Sequence, residues 1–238
     1  MQLNEPSTAS KLIIAWIWSL FKNSLLPVSF FRVSLLKKDT GKRLFLNKDQ
    51  IQAMINFEAV EGSLSCTYRD MFVFSIYAGG LRFSDALEIQ NKHFIEAEQR
   101  IKKTINKTGR LHQFKIGQVA LDIIKKYQKP TSKPDDFIFP IIKNQALFLK
   151  DKEYRYEITE KANKSANFQI QRIAKALEFP IHISFHLSRH SFATNALNNG
   201  MRIEHVSKLM DHQDIRTTQI YAKIINEELD KAVDEFIF

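Results

Sequence analysis

The sequence predicts a mainly α protein carrying one small antiparallel β element, and three observations predict it. Glycine (7) and proline (6) are scarce in 238 residues, which favours long helices over tight turns. Apolar residues recur at helical spacing over most of the chain beyond Asn47. The exception is the stretch from His93 to Gly117, where the period falls to two on either side of Asn106-Lys107-Thr108-Gly109, a hairpin signal. With 44% hydrophobic and 26% charged residues the composition is that of a globular chain able to bury a core.

Residues 1 to about 45 differ from the rest. Trp16, Trp18, Phe21, Leu25, Phe30 and Phe31 crowd together without clean periodicity, Pro27 interrupts them, and a basic connector runs from Arg32 to Arg43. This reads either as the tail of a preceding domain plus a linker, or as an N-terminal helix of the main domain. Asn47 then caps a helix, with Gln50 three residues on completing a capping box. A second helix is expected from Ser65 to Tyr77, ended by Gly79-Gly80, and a third from Asp85 to Ile89, capped by Ser84. Ile101–Ile105 and Leu111–Ile116 are the two strands of the hairpin. Val119–Tyr127 is helical, Pro130 and Pro134 mark a loop, Phe137–Ile142 is a short apolar segment, and 143–160 is polar and gives no clear assignment. Helices follow at Lys164–Leu177, Leu187–Leu197, around Ile203–Met210, Thr217–Ile225 and Glu227–Phe236.

Thirty-five basic residues against 26 acidic ones leave a formal charge of +9, which favours a polyanionic partner. A single cysteine, Cys66, excludes an internal disulfide framework and a zinc–cysteine cluster and fits a reducing compartment. The longest apolar run, Leu12–Phe21, is about half of what a membrane span needs, and its flanks do not make a signal peptide. A cytoplasmic protein is therefore expected.

The chemistry lies in a dispersed constellation. His186 and Arg189 stand one helical turn apart, a proton-transfer group beside a fixed cation. His212 follows a helix end, Tyr221 comes nine residues later, and Arg82 sits just ahead of a helix start. The segments YAGGLRFSDALEI at 77–89, FHLSRHSFATNALNNG at 185–200 and VSKLMDHQDIRTTQIYAKI at 206–224 together resemble the tyrosine recombinase (phage integrase, Xer-type) family in order, spacing and residue types. The resemblance covers residues 46–238 and implies that family's catalytic-domain fold, α+β, helical with a small three-stranded antiparallel sheet. It makes 1–45 an N-terminal arm or linker, the remnant of a core-binding domain.

The resemblance also implies roles. Tyr221 is similar to the nucleophile that attacks the scissile phosphate, leaving a 3′-phosphotyrosyl link and a free 5′-hydroxyl. Arg82 and Arg189 match the arginines that grip the non-bridging oxygens, a task suited to a planar, permanent cation. His186 matches the proton-handling histidine and His212 the group that hydrogen-bonds the phosphate. A hairpin lysine protonates the leaving oxygen; Lys107 matches best, with Lys102 and Lys103 as rivals. Asp85 matches an acidic orienting partner. Lys102, Lys103, Arg110 and Lys115 belong to a basic stretch that reads as contact with the DNA backbone, or else as solvated surface. A cationic pocket stabilises a tyrosine anion and neutralises the phosphate together, so no metal and no cofactor are implied. His186 and His190 have the spacing of a zinc protease, but Leu187 replaces its glutamate, and His190 reads as structural.

Two departures from the family pattern stand out. Asp211 replaces the usual glycine before the second histidine, putting a carboxylate near the phosphate unless it turns away or pairs with a cation. Ser188 replaces a common leucine. Further, about 45 residues ahead of the catalytic part are too few for the family's helical clamp domain, so the chain reads as a truncated or remnant integrase, or as a piece of one. The expected partner is double-stranded DNA, gripped by a homotetramer that integrates or excises a mobile element. The alternatives are a type IB topoisomerase-like nick-and-reseal enzyme and a non-catalytic DNA-binding remnant. The apolar stripe of Leu229, Ala232, Val233, Phe236 and Ile237 is expected to dock either on a neighbouring protomer or on its own domain.

Overall fold

The structure, a computed structural model, describes residues 44–105 and 107–222. Most of the expected arm over 1–45 and the whole of the helix expected from Glu227 lie outside the described residues. The elements run α1 (Lys48–Asn56), α2 (Leu64–Tyr77), α3 (Phe83–Leu87), β1 (Phe94–Ile95), β2 (Arg100–Thr104), β3 (Leu111–Lys115), α4 (Gln118–Tyr127), α5 (Gln145–Lys150), α6 (Lys152–Ala176), α7 (His186–Asn198) and α8 (Ile203–Leu209), with a further helix over 216–222. The fold is the expected one: helices around a three-stranded antiparallel sheet of order β1-β2-β3.

α2 is the central helix because it is buried on every side: the consecutive Met71, Phe72, Val73 and Phe74 are all buried, which an amphipathic stripe would not require. α1, α4, α6 and α7 pack around it. Phe72 meets Phe185 edge to face at 5.9 Å, and Phe83 meets the same ring at 5.0 Å, tying α2, α3 and the start of α7 together. Asn47 caps α1 through the reciprocal box with Gln50, worth about 1 kcal/mol. Just ahead of it the Leu46 amide donates to Ser191 Oγ at 2.8 Å, and Asn195 Nδ2 donates to the Leu46 carbonyl at 2.7 Å. These bonds fasten the chain's entry into the domain onto α7.

Three elements differ from their sequence-based reading. α6 begins at Lys152, twelve residues before the expected start, because Asp151 caps it by accepting from the amides of Glu153 and Tyr154. Its first three turns meet the core only through Tyr154, Ile158 and Ala162 among mostly charged neighbours, a stripe too thin to mark the helix in the sequence. α3 spans Phe83–Leu87 with Arg82, not Ser84, at its N-cap position and without a side-chain cap. The sheet's third strand, β1, is two residues long, too short for a period of two to register. The hairpin itself has the register Thr104↔Leu111, closing on Gly109 at φ +66°.

Ser188 is fully buried on α7, where its hydroxyl donates to the Phe185 carbonyl at 2.7 Å and lies 2.8 Å from Ser75 Oγ of α2. Ser75 is itself bonded to the Leu81 carbonyl at 2.7 Å. A matched serine pair thus fills the place of a leucine, and leaves both hydroxyls satisfied.

Candidate active site

Arg82 comes from the link between α2 and α3. Gly79 and Gly80 run through it at φ +74° and +71°, so the chain reverses where a side chain would be strained. A Cβ on Gly80 would also lie 2.9 Å from Phe192 of α7. The close approach brings the Gly80 carbonyl onto α7, where Arg189 Nη1 donates to it at 2.5 Å, while Arg189 Nη2 donates to the Met210 carbonyl. Arg189 is 4% exposed. Burial first, and then the charge of Arg82, pull its pKa down to about 10, so it stays a cation at neutral pH. Two guanidinium groups that repel each other in a buried cleft form a site whose electrostatic cost an anion would relieve.

Around Arg82 stand two carboxylates. Asp85 lies 3.9 Å from its Nη1 and is almost wholly buried, and Lys103 Nζ approaches the other Asp85 oxygen at 3.5 Å. Asp211 lies 3.7 Å away. Lys103, expected on the DNA surface, therefore points inward: only 4% exposed, it directs its ammonium at Asp85. The alternation of β2 explains why, since Ile101 and Lys103 share its inner face while Lys102 and Thr104 share the outer one.

α8 ends in the turn that carries His212. Its Nδ1 lies 2.7 Å from Thr218 Oγ1, which is fully buried near the start of the helix that bears Tyr221. A Thr218 hydroxyl donating to Nδ1 leaves the proton on Nε2, the nitrogen a phosphate oxygen needs as donor. Burial, then the charges of Arg189 and Arg82, push His212 from 6.5 down to about 4, so the ring is neutral at physiological pH.

Tyr221 lies on the 216–222 helix and is 3% exposed. It packs in a small apolar cluster with Ala193, Val206 and Met210, separate from the main core. Its hydroxyl sits 2.9 Å from His190 Nδ1, and the His190 ring stands edge-on to His186 at 4.6 Å. His190, read from sequence as structural, thus lies within hydrogen-bond distance of the Tyr221 oxygen. Its i+4 spacing from His186 was visible; its meeting with a tyrosine 31 positions away was not.

Arg82, His186, Arg189, His212 and Tyr221 are therefore gathered in one cleft: Arg82, Asp211 and His186 lie within electrostatic range of His212, and Arg82 and Tyr221 within range of Arg189. Lys107 is exposed in the hairpin turn, next to Thr108, whose hydroxyl donates to Asp211 at 2.7 Å. Lys102, Arg110 and Lys115 are exposed on the same hairpin. Among the described residues no group of three or more His, Cys, Asp and Glu side chains is placed to hold a metal ion.

A helical domain that wraps one small sheet and gathers two arginines, histidines and a tyrosine in a single cleft has the architecture of a tyrosine recombinase catalytic domain. The family model described as the phage integrase family matches residues 44–228, and the chain belongs to that family. Among curated relatives, the tyrosine recombinase XerD of Pseudomonas aeruginosa is 25% identical over 77% of this chain, and the tyrosine recombinase XerC of Pediococcus pentosaceus is 26% identical over 91%. The chain spans 58% of the length of the first and 70% of the second. Among solved structures, the XerA recombinase shares the fold with a TM-score of 0.56 at 15% identity, over 95% of this chain and 76% of that one. The XerH site-specific recombinase, in a post-cleavage complex with a palindromic difH substrate, does so with a TM-score of 0.59 at 18% identity, over 85% of this chain and 56% of that one.

Proposed function

We propose that this protein cleaves and rejoins DNA at specific sites through a 3′-phosphotyrosyl intermediate, as a recombinase serving integration or excision of a mobile element. The observation that carries the reading is the cleft in which Arg189, held by two carbonyls, Arg82, the neutral His212 and the Tyr221 hydroxyl converge. In that cleft the Tyr221 oxygen bonds to phosphorus as the bond from phosphorus to the 5′ oxygen breaks. The tyrosine proton passes to His190, 2.9 Å away, and Lys107 gives a proton to the departing 5′ oxygen. The arginines and His212 take up the charge that grows on the non-bridging oxygens. The bond energy is kept in the phosphotyrosine, so rejoining is the same step reversed.

Working on two duplexes requires four active sites, which is the reading of a homotetramer on double-stranded DNA, in the cytoplasm on nucleoid DNA. Among the described residues no helix is long and apolar enough to cross a membrane. The test is a nicked suicide substrate incubated with the wild type and with Tyr221→Phe. A covalent protein–DNA adduct with the first and none with the second is expected; no adduct with the wild type would leave a DNA-binding remnant. Recombinant junctions from paired sites, as against relaxed plasmid alone, separate recombination from topoisomerase-like relaxation.

A further inference from the structure

Asp211 adopts φ +50° immediately before His212. A glycine would adopt that backbone with less strain. The Asp211 carboxylate joins two separate parts of the cleft. Oδ2 accepts from Thr108 Oγ1 at 2.7 Å, across 103 positions of sequence, and stands 3.7 Å from Arg82 Nη1. The Asp211 carbonyl also takes Arg82 Nη2 at 3.4 Å. Thr108 is the neighbour of Lys107 in the hairpin turn. The same loop grips the hairpin at a second point, since His112 Nε2 of β3 lies 2.9 Å from the Leu209 carbonyl. Within the hairpin the turn is closed by the Ile105 amide on the Arg110 carbonyl at 2.9 Å and the Gly109 amide on the Ile105 carbonyl at 2.8 Å, bonds that do not tie it to the cleft.

We propose that Asp211 is a positioning residue: it pins the β2–β3 turn to the arginine cleft and so places Lys107 at the leaving oxygen. The proposal rests on the reading of Lys107 as the proton donor. It has a second consequence. The carboxylate that holds Thr108 also occupies Arg82 and adds a negative charge beside the phosphate position, so the protein binds DNA more weakly than a glycine-bearing counterpart would. Lysine placement is gained while ground-state affinity falls.

Three variants separate these effects. Asp211→Gly removes anchor and charge and relaxes the backbone, so it should fold. Thr108→Val removes the anchor and keeps the charge. Asp211→Asn keeps an oxygen acceptor for Thr108 and removes the charge. In the free protein, amide hydrogen exchange over 107–110 should be about tenfold faster in the glycine and valine variants, and near wild type in the asparagine variant. DNA affinity should rise about fivefold, the order of one nearby charge at partial burial, for glycine and asparagine but not for valine. Single-turnover cleavage of a suicide substrate should fall about tenfold or more for glycine and valine, as a displaced group does. A 5′-bridging sulfur, whose leaving group needs no proton, should restore it. Unchanged exchange in both anchor-less variants overturns the proposal. So does an equal loss on oxygen and sulfur substrates, which would mark a general structural defect. If the wild type forms no adduct at all, the functional reading falls, while the exchange measurement still decides whether Asp211 anchors the turn.

Discussion

Three polar groups of the cleft are each held by a hydrogen-bonding neighbour that sets their direction. Arg189 hydrogen-bonds two carbonyls and stays charged; His212 leans on Thr218 and stays neutral; Tyr221 meets His190. Tyr221→Phe should abolish the covalent adduct and leave DNA affinity within about twofold, because only the hydroxyl does chemistry. Band-shift titrations beside the suicide-substrate assay check it. Arg189→Ala should lower cleavage by about two to three orders of magnitude. Arg189→Lys should recover little, since an ammonium cannot span the carbonyls of Gly80 and Met210 while facing a phosphate. His190→Phe, which keeps a ring against His186, should slow cleavage about a hundredfold, the usual effect of losing a proton acceptor. It should also remove a limb from the pH–rate profile. A profile and rate equal to wild type would return His190 to a structural role.

At the scale of elements, the approach of the α2–α3 link to α7 decides whether the arginines meet. Gly80 has a positive φ and a carbonyl bonded to Arg189, and it leaves no room before Phe192. Gly80→Ala should therefore cost about 1–3 kcal/mol of stability through strain and displaced Phe192. It should also reduce cleavage more than that loss explains, since Arg189 loses its anchor. Urea melts and single-turnover cleavage on the same preparation separate the two. The hairpin makes the complementary case. Lys103→Ala should destabilise the fold by leaving the buried Asp85 short of a cation, and a bridging-sulfur substrate should not rescue it. Lys107→Ala should leave stability unchanged, and its cleavage should be rescued by sulfur.

For the molecule as a whole, charge governs both binding and stability. A net charge of +9, with Lys102, Arg110 and Lys115 exposed along one hairpin, predicts DNA binding that weakens steeply with salt. Lys115→Gln should reduce the slope of log affinity against log salt by about 0.9 for each phosphate that is no longer neutralised, equally for cognate and random DNA. Stability has its own pH dependence. Burial, followed by nearby lysine and arginine charges, lowers His93 and His212 from 6.5 to about 4 in the folded state. Between those values the unfolded chain binds protons that the native one refuses. The free energy of unfolding is therefore complete above pH 6.5 and declines as the pH falls towards 4. His93 Nδ1 accepts from the Gln90 amide at 3.0 Å, so His93→Gln, which keeps an acceptor, should flatten that decline in denaturant melts between pH 7.5 and 5.

Features that depend on near neighbours along the chain were legible in the residue types alone. The capping box at Asn47 and Gln50, the glycine pair at 79–80 and the period of two across the hairpin are local, and the order and spacing of His186, Arg189, His212 and Tyr221 along the chain could be read without the fold; with them came the fold class and the family. The start of α6 escaped because Tyr154, Ile158 and Ala162 are a thin apolar stripe among charged residues, and β1 because two residues cannot show a period. Which side chains meet was settled by packing in three dimensions. Lys103 and Lys107 are four positions apart on one hairpin, yet one is buried on Asp85 and the other exposed in the turn. His190 faces Tyr221 and Asp211 faces Thr108 across 31 and 103 positions. Such contacts are set by how helices stack on the apolar core of α2, and a pattern of residue types carries no record of which distant partner the packing will bring within hydrogen-bond reach.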